Sequence, residues 1–587
     1  MNENDRGSAQ ALRELSDLRL GLLEADLRFE APYTGPLLPQ AVSAMARINE
    51  LIHTPAINRF CEVQLRILEA NFESYTMTNA RLEEQETRCD RTDFSMVAKV
   101  DTHLHLSALM TSKELFDFIG EIYERDGDDK YDEEKTIRQL LEESGYVPDQ
   151  CSIDNLCTHA VSDVYRDFDA FNKHFLPFRS KQLADMMFKI QPLGGKYLRE
   201  IVARVAGRAK QQNVYLEPRV SIYARKYGEW EELAEWFDRS RAQVAQPNVL
   251  WAVQCPRVFH VWRKMGAMAN FGVLLRNFFG PLFDATLAPE EHPKLAFLLS
   301  RIGCIDTVDN EALEDSWDCT ALPPPDEYTA AANPPYSYWH HYFWANLRAL
   351  NRLRVIRGLN MLRLRPHAGE AGPLHHLATT FLFAHGISHG ILLKAQPVLQ
   401  YLYYLNMIGI SVSPISNACL FVPYAKNPFA RLFARGLRVT LTTDDPLQFH
   451  VTEQPQLEEY ATAKHAWGLS MTDLSEIARN SVLISSAPPA LREELIGGDD
   501  PCDRCNVPRR RFDFRHRELC RNFEDVGIRW PPMHPLQSVG FHLFNPQHTV
   551  DVRGAQLAEL ELAEAAPPTS NGDQAHLSKG GASSTST

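Results

Sequence analysis

The stretch MVAKVDTHLHL at residues 96–106 is a short apolar run that ends in two histidines two positions apart. The period-2 pleat of a strand puts His103 and His105 on one face, at the strand's C-terminal end. Seven further runs of the same texture follow, each trailed by a longer stretch with helical spacing. They are LEPRVSIYA at 216–224, VLWAVQ at 249–254, LLSRIGCIDTV at 298–308, MLRLRPHAG at 361–369, ISHGILL at 387–393, ISVSPIS at 410–416 and RVTLTTDD at 438–445. Eight strand-like runs alternating with helices predict an α/β fold, a TIM-type (β/α)8 barrel. An open doubly wound sheet shares that alternation, so the placement of polar residues has to separate the two. His367 follows the fifth run, His389 lies in the sixth, and Asp444 with Asp445 closes the eighth. All of them belong near the C-terminal mouth of a barrel, where barrel enzymes do their chemistry.

Outside the barrel the texture changes. Residues 1–92 read as an N-terminal helical extension, with Val63, Leu65, Ile67, Leu68 and Phe72 at three-and-four spacing. Residues 93–500 hold the catalytic barrel, 501–565 form a C-terminal helical appendage, and 566–587, rich in Ser, Thr and Gly, are expected to be a disordered tail. The segment from Asp500 to Leu519 reads as a surface excursion. A formal charge of -14 argues against a partner that is nucleic acid or an anionic membrane surface. Eleven scattered cysteines, an odd count, fit a reducing compartment, and no run of about 18 apolar residues or signal-type segment appears. A soluble, cytoplasmic protein is expected.

Three imidazoles and a carboxylate make a sensible first shell for zinc, which takes nitrogen and oxygen donors and leaves room for water at a catalytic site. His103, His105, His367 and Asp444 are the expected ligands of one Zn2+ per subunit. Such an ion lowers the pKa of its water from about 15.7 toward about 7, so the nucleophile is water and not a side chain. Glu370, three residues after His367, falls in the turn beyond the strand, within reach of a substrate over the metal. To deliver a proton there its pKa must be raised by burial.

The segments KVDTHLHLSALMTSKELFDFI, LRPHAGEAG, ISHGILLKAQPVLQYLYYL, SPISN and LTTDDPLQFHVTEQPQLEEY together resemble AMP deaminases, within the wider adenosine deaminase family of metal-dependent barrels. The similarity runs from about Phe60 through ARNSVLIS at 478–485 and resumes faintly in NVPRRRFDFRHRELC at 506–520. The resemblance implies that Glu370 protonates purine N1, that His389 accepts the proton of the attacking water, and that Asp445 contacts substrate and water. It places His105, Asp445, Pro446, Leu447 and Gln448 along the purine site. The implied reaction converts AMP to IMP and ammonia in purine nucleotide metabolism, in a homo-oligomer.

One stretch departs from the family. The nucleotide-associated loop K-F-N-L-K-Y-N-P is represented by Ala170, Phe171, Asn172, Lys173, His174, Phe175, Leu176 and Pro177. Phe171, Asn172, Lys173, His174 and Phe175 remain the candidate substrate contacts, and Lys173, Arg179 and Lys181 either rebuild the phosphate charge or are solvated cations. Arg219, Tyr223, Arg225 and Lys226 keep the family pattern. The departure leaves open another 6-aminopurine as substrate, or a catalytically silent subunit of a hetero-oligomer. The silent reading is disfavoured because every expected ligand, Glu370, His389 and Asp445 are present. The 102 residues before His103 argue against an N-terminal regulatory domain. Cys502 and Cys505 match half of a different zinc deaminase signature, but the H-x-E of His516 to Glu518 comes after them and not before, so both read as surface loop residues. The run Arg509, Arg510, Arg511 reads as a solvated helix face.

Overall fold

The computed structural model of the chain describes residues 3–24, 38–86, 94–160, 175–496 and 505–528. All of these fall within the compact unit Met1–Leu543. The eight expected runs are strands in the expected order. β1 is Lys99–His105, β2 Val214–Ser221, β3 Trp251–Pro256 and β4 Ile302–Val308. β5 comes in two short pieces, Arg363–Leu364 and His367–Ala368; β6 is Gly386–His389, β7 Gly409–Val412 and β8 Val439–Leu441. Every adjacent pair is parallel. Several runs end earlier than the sequence suggests. Pro414 starts a helix after β7, and residues 298–301 still belong to the helix Pro293–Arg301 before β4.

The break in β5 has a local cause. Pro366 has no N–H to give, and the His367 N–H leaves the ladder to donate to Asp306 Oδ1 at 3.1 Å. The first piece of β5 therefore pairs with β4 and the second with β6. The circle closes between the last strand and the first: Leu104 bridges Asp444, with Asp444 N–H donating to His103 O at 2.8 Å and His105 N–H to Asp444 O at 3.0 Å. The sheet is a closed barrel and not an open one.

Parallel barrel strands are covered by helices outside and by side chains within, which is why their sequences read as near-continuous apolar runs. Every residue of β1, β6, β7 and β8 is buried. The lumen nevertheless carries two ion pairs, Arg365 Nη1 to Glu217 Oε2 at 2.5 Å and Arg219 Nη1 to Asp306 Oδ2 at 2.6 Å, all four side chains being 2% exposed or less. Both arginines also donate to Thr102 O in β1, so the pairs lace strands together across the lumen.

The N-terminal residues form α1 (Glu3–Glu24), α2 (Leu38–His53) and α3 (Pro55–Glu86). Leu12, Ile48 and Leu65 on these helices join the same apolar core as the barrel helices. Arg19 donates to the carbonyls of Phe381 and Ala384 at the C-terminal end of the helix His375–Phe383, where unpaired carbonyls favour a cation.

Three sequence expectations are corrected at the C-terminal side. From Cys505 to Leu519 the chain is no surface excursion, because the helix Arg509–Val526 packs on α1 and α3 and pairs through Arg511 and Arg515 with the helix Met471–Ile484. Within the basic run, successive helical residues point about 100° apart, so the three arginines meet different surroundings. Arg509 is solvated and pairs with Asp513, whereas Arg511 is fully buried among Glu83, Asp473 and Glu476. Cys505 is also buried, its thiol directed to Leu495 O at 3.4 Å. Cys502 and the tail 566–587 lie outside the described residues.

Candidate active site

The C-terminal ends of β1, β5, β6 and β8 bring their polar residues to one point. His103 Nε2 lies 3.0 Å from His367 Nε2, and Asp444 Oδ1 is 3.3 Å from both His103 Nε2 and His105 Nε2. His389 joins the same cluster, and the donor atoms within each of its groups lie within 4.8 Å of one another. All five side chains are buried or nearly so. Two backbone positions are bent to achieve this. His389 has φ +73° and Asp444 φ +62°, a left-handed conformation that costs a β-carbon residue on the order of 1 kcal/mol or more. The seam hydrogen bonds on either side hold Asp444 in that conformation.

The donor set fits a metal. His367 Nδ1 faces Asp306 Oδ2 at 3.0 Å, and Asp306 is itself held by Arg219. That contact fixes the ring proton on Nδ1 and turns the Nε2 lone pair toward the cluster, the usual arrangement behind a ligating histidine. Burial works against the Asp306 charge, but Arg219 and His367 outweigh it and hold the carboxyl down at about 2. Ser416 donates to Asp444 Oδ2 at 2.8 Å, which leaves Oδ1 for the imidazoles.

Glu370 stands beside this cluster. Its Oε1 is 3.3 Å from His389 Nδ1, and Asn417 Nδ2 lies 3.3 Å from each of them. Burial, reinforced by Asp444 and Glu311, pushes the Glu370 carboxyl well above the ordinary range. Burial also pushes His389 down to about 3, against the pull of Asp444, so its imidazole is neutral at neutral pH. Asp445 is raised to about 7 by burial, with His105 opposing and Asp444 adding to the rise. A neutral acid and a neutral imidazole in contact, beside a donor set that fits a metal, have the chemistry to deliver one proton and remove another.

The turn that carries Glu370 is built by residues the sequence reading did not single out. Glu311 Oε2 accepts from Gly369 N–H at 2.6 Å and from Glu370 N–H at 3.2 Å. Gly372, at φ +75°, lies so close that a β-carbon would meet the Glu311 carbonyl at 1.8 Å; only glycine fits. Asp306, Ser416, Asn417 and Glu311 were all missed as functional residues. Ser416 and Asn417 sit in the SPISN segment, and Asp306 near the end of the fourth run.

The remaining expected residues are placed as follows. Pro446, Leu447 and Gln448 belong to a short helix, Pro446–Phe449, directly after Asp445. The Leu447 side chain is in the core, and its carbonyl accepts from Ser112 Oγ at 2.7 Å. Phe175 packs on Ala160, Ile415 and Phe449. Phe171, Asn172, Lys173 and His174 lie outside the described residues. Arg179 and Lys181 are exposed, and Arg219 is committed to Asp306.

A closed (β/α)8 barrel with imidazoles and carboxylates gathered at its C-terminal mouth, and a neutral carboxylic acid beside them, defines a metal-dependent hydrolase. Comparison with known proteins narrows the class. The family described as AMP deaminase matches residues 26–528. AMP deaminase 3 of Mus musculus is 39% identical over 515 residues, covering 85% of this chain and 67% of its own. The AMP deaminase of Schizosaccharomyces pombe is 40% identical over 486 residues, covering 80% of this chain and 58% of its own. Among solved structures, an adenine deaminase from Arthrobacter aurescens aligns at 16% identity with a TM-score of 0.40, over 68% of this chain and 97% of that one. The chain belongs to the AMP deaminase family.

Proposed function

We propose that the chain hydrolyses AMP to IMP and ammonia with one Zn2+ held by His103, His105, His367 and Asp444. The observation that carries this reading is the contact of Glu370 with His389, bridged by Asn417, against the imidazole and Asp444 cluster. Bound zinc supplies a water whose pKa falls toward about 7. Glu370, kept protonated by burial, donates to N1 of the purine and makes C6 electrophilic. His389, kept neutral, takes the proton of the water as it adds to C6. Asp445, one residue past the ligand Asp444, orients that water and the leaving amino group. The proton held by His389 passes to the C6 amino group, ammonia departs, and the C6 hydroxyl proton returns to Glu370 as the 6-oxo purine forms.

Lys173 and its neighbours Phe171, Asn172, His174 and Phe175 are the proposed substrate contacts beyond the purine, with Pro446, Leu447 and Gln448 along the base. A cytoplasmic enzyme is proposed, and the acidic balance of the chain supports a partner other than nucleic acid or an anionic membrane surface; no described helix is long and apolar enough to cross a membrane. Exposed Val63 and Ile67 on α3 support a homo-oligomer. The domain limits proposed are 1–92, 93–500, 501–565 and 566–587.

The test is ammonia release by the zinc-loaded protein from AMP, adenosine and other 6-aminopurines in parallel. Strong preference for AMP is the expected result. Preference for another purine moves the substrate and keeps the chemistry, and no release from any of them refutes the reading.

A further inference from the structure

At the end of the barrel opposite the catalytic mouth, a recess of about 130 Å³ opens between the helices Met471–Ile484 and Arg509–Val526 and the segment that leads into β8. Its walls carry Arg435, Arg438, Arg479, Arg511 and Arg515 against two carboxylates, Glu476 and Glu518. Both carboxylates are already engaged. Glu476 accepts from Arg511 at 2.9 Å and Arg515 at 2.8 Å, and Glu518 accepts from Arg521 at 2.7 Å and Asn71 at 2.8 Å. Glu83 and Asp473 complete the neutralisation of Arg511, and Glu69 lies 3.0 Å from Arg435.

That accounting leaves Arg438 and Arg479. Among the described residues neither has a carboxylate within ion-pair distance. Arg438 Nη2 reaches only the Met407 sulfur, at 3.4 Å. Arg479 is 8% exposed, its Nε and Nη2 meet no acceptor, and its guanidinium lies 5.2 Å from the Phe512 ring centroid. Burial, and then the neighbouring Arg479, bring Arg438 down to about 10, and burial lowers Arg479 as well. The carboxylate whose field reaches Arg479 is Glu476, which Arg511 and Arg515 already share, so the buried Arg479 and half-buried Arg438 stay under-neutralised, a cost that an apolar pair would avoid. Unspent N–H donors converging on a recess are suited to the oxygens of a phosphate.

We propose that this recess binds a small phosphate-bearing anion through Arg438 and Arg479, with the near-parallel rings of Phe512 and His516 as its wall. The site is separate from the deamination chemistry and does not depend on it. It touches the root of β8, since Asn480, next to Arg479, donates to Val439 O at 3.2 Å and Arg438 O accepts from Ile410 N–H at 2.9 Å. A ligand here would therefore brace the strand whose far end is Asp444.

The test is isothermal titration of inorganic pyrophosphate into the metal-loaded full chain, with the catalytic mouth saturated by IMP. One site per chain is expected, weakened by added salt, and its affinity falls roughly ten- to a hundredfold in Arg438→Gln and in Arg479→Gln. KM for AMP stays unchanged in both variants. Because Arg479 is buried and its replacement could disturb the fold, Arg438→Gln decides the matter. Retained affinity in a folded R438Q variant marks an adventitious ion only and overturns the proposal, as does an absence of binding by the parent chain at millimolar pyrophosphate.

Discussion

Asp306→Asn isolates the support behind the proposed metal ligand His367. Asp306 is fully buried and does two things: it takes the His367 Nδ1 proton at 3.0 Å and it neutralises Arg219 at 2.6 Å. Asparagine keeps the shape and can still accept one hydrogen bond, but it removes the charge and turns an N–H2 donor toward one of two donors. Stranding the Arg219 guanidinium costs about 3 kcal/mol of stability, the low end for breaking one side of a buried pair. Loosening His367 costs a further tenfold to hundredfold in metal affinity, about 1.4 to 2.7 kcal/mol. The two losses are separable. Thermal unfolding of the metal-free protein reads the first, and competition with a chelator of known affinity reads the second. Arg219→Met added to Asp306→Asn removes the stranded cation, so it restores part of the stability and none of the metal affinity. If chelator competition shows Asp306→Asn binding metal as tightly as the parent chain, Asp306 only anchors Arg219, and the assignment of His367 as a supported ligand is wrong.

Three other outcomes are expected. Glu370→Gln preserves the acceptor for Asn417 but cannot donate the proton, so turnover falls by roughly 10²- to 10⁴-fold with metal content by elemental analysis unchanged; appreciable turnover would remove Glu370 as the acid. Asn417→Ala frees Glu370 and His389 from their shared bridge, and steady-state kinetics should show kcat lower by roughly tenfold or more with KM for AMP nearly constant. An equal rise in KM would make Asn417 a substrate contact instead. Glu459 lies 3.2 Å from His450, both fully buried, and burial raises its carboxyl well above the ordinary range. A carboxyl raised in the fold contributes stability that is full below its unfolded pKa of about 4.3 and is lost as pH rises toward the folded value. Glu459→Gln has no such loss, so its melting temperature gains on the parent chain as pH rises above about 4.3; a constant difference would refute the buried protonated carboxyl.

The strands were legible because a barrel strand is buried on both sides and writes a short apolar run. The gathering of imidazoles with Asp444 was legible because His103, His105, His367, His389 and Asp444 interrupt such runs at one end. The supporting residues were not. Asp306, Ser416 and Asn417 lie in two-residue polar interruptions of apolar sequence, a pattern shared by any core residue with a satisfied hydrogen bond. Their roles depend on which strand lies opposite, which no local window contains. Arg511 misled for the complementary reason: its three carboxylates come from α3 and the helix Met471–Ile484, and a run of three arginines does not reveal them. Glu311 lies on the segment after β4, far in sequence from the turn it holds.

The closure of the sheet at Asp444 has a consequence for how the enzyme comes into being. Asp101 and Thr443, which hydrogen-bond across that seam, are 342 residues apart. During synthesis β1 leaves the ribosome with one edge unsatisfied, and it stays so until β8 has been made. An open edge is a pairing hazard for a nascent chain, and contacts so distant in sequence are slow to form. The same step that removes the edge delivers the aspartate to the histidines. A chain stopped short of β8 would thus hold all four imidazoles, lack Asp444 and have no working site, and a metal ion able to span the seam would fasten only the finished ring.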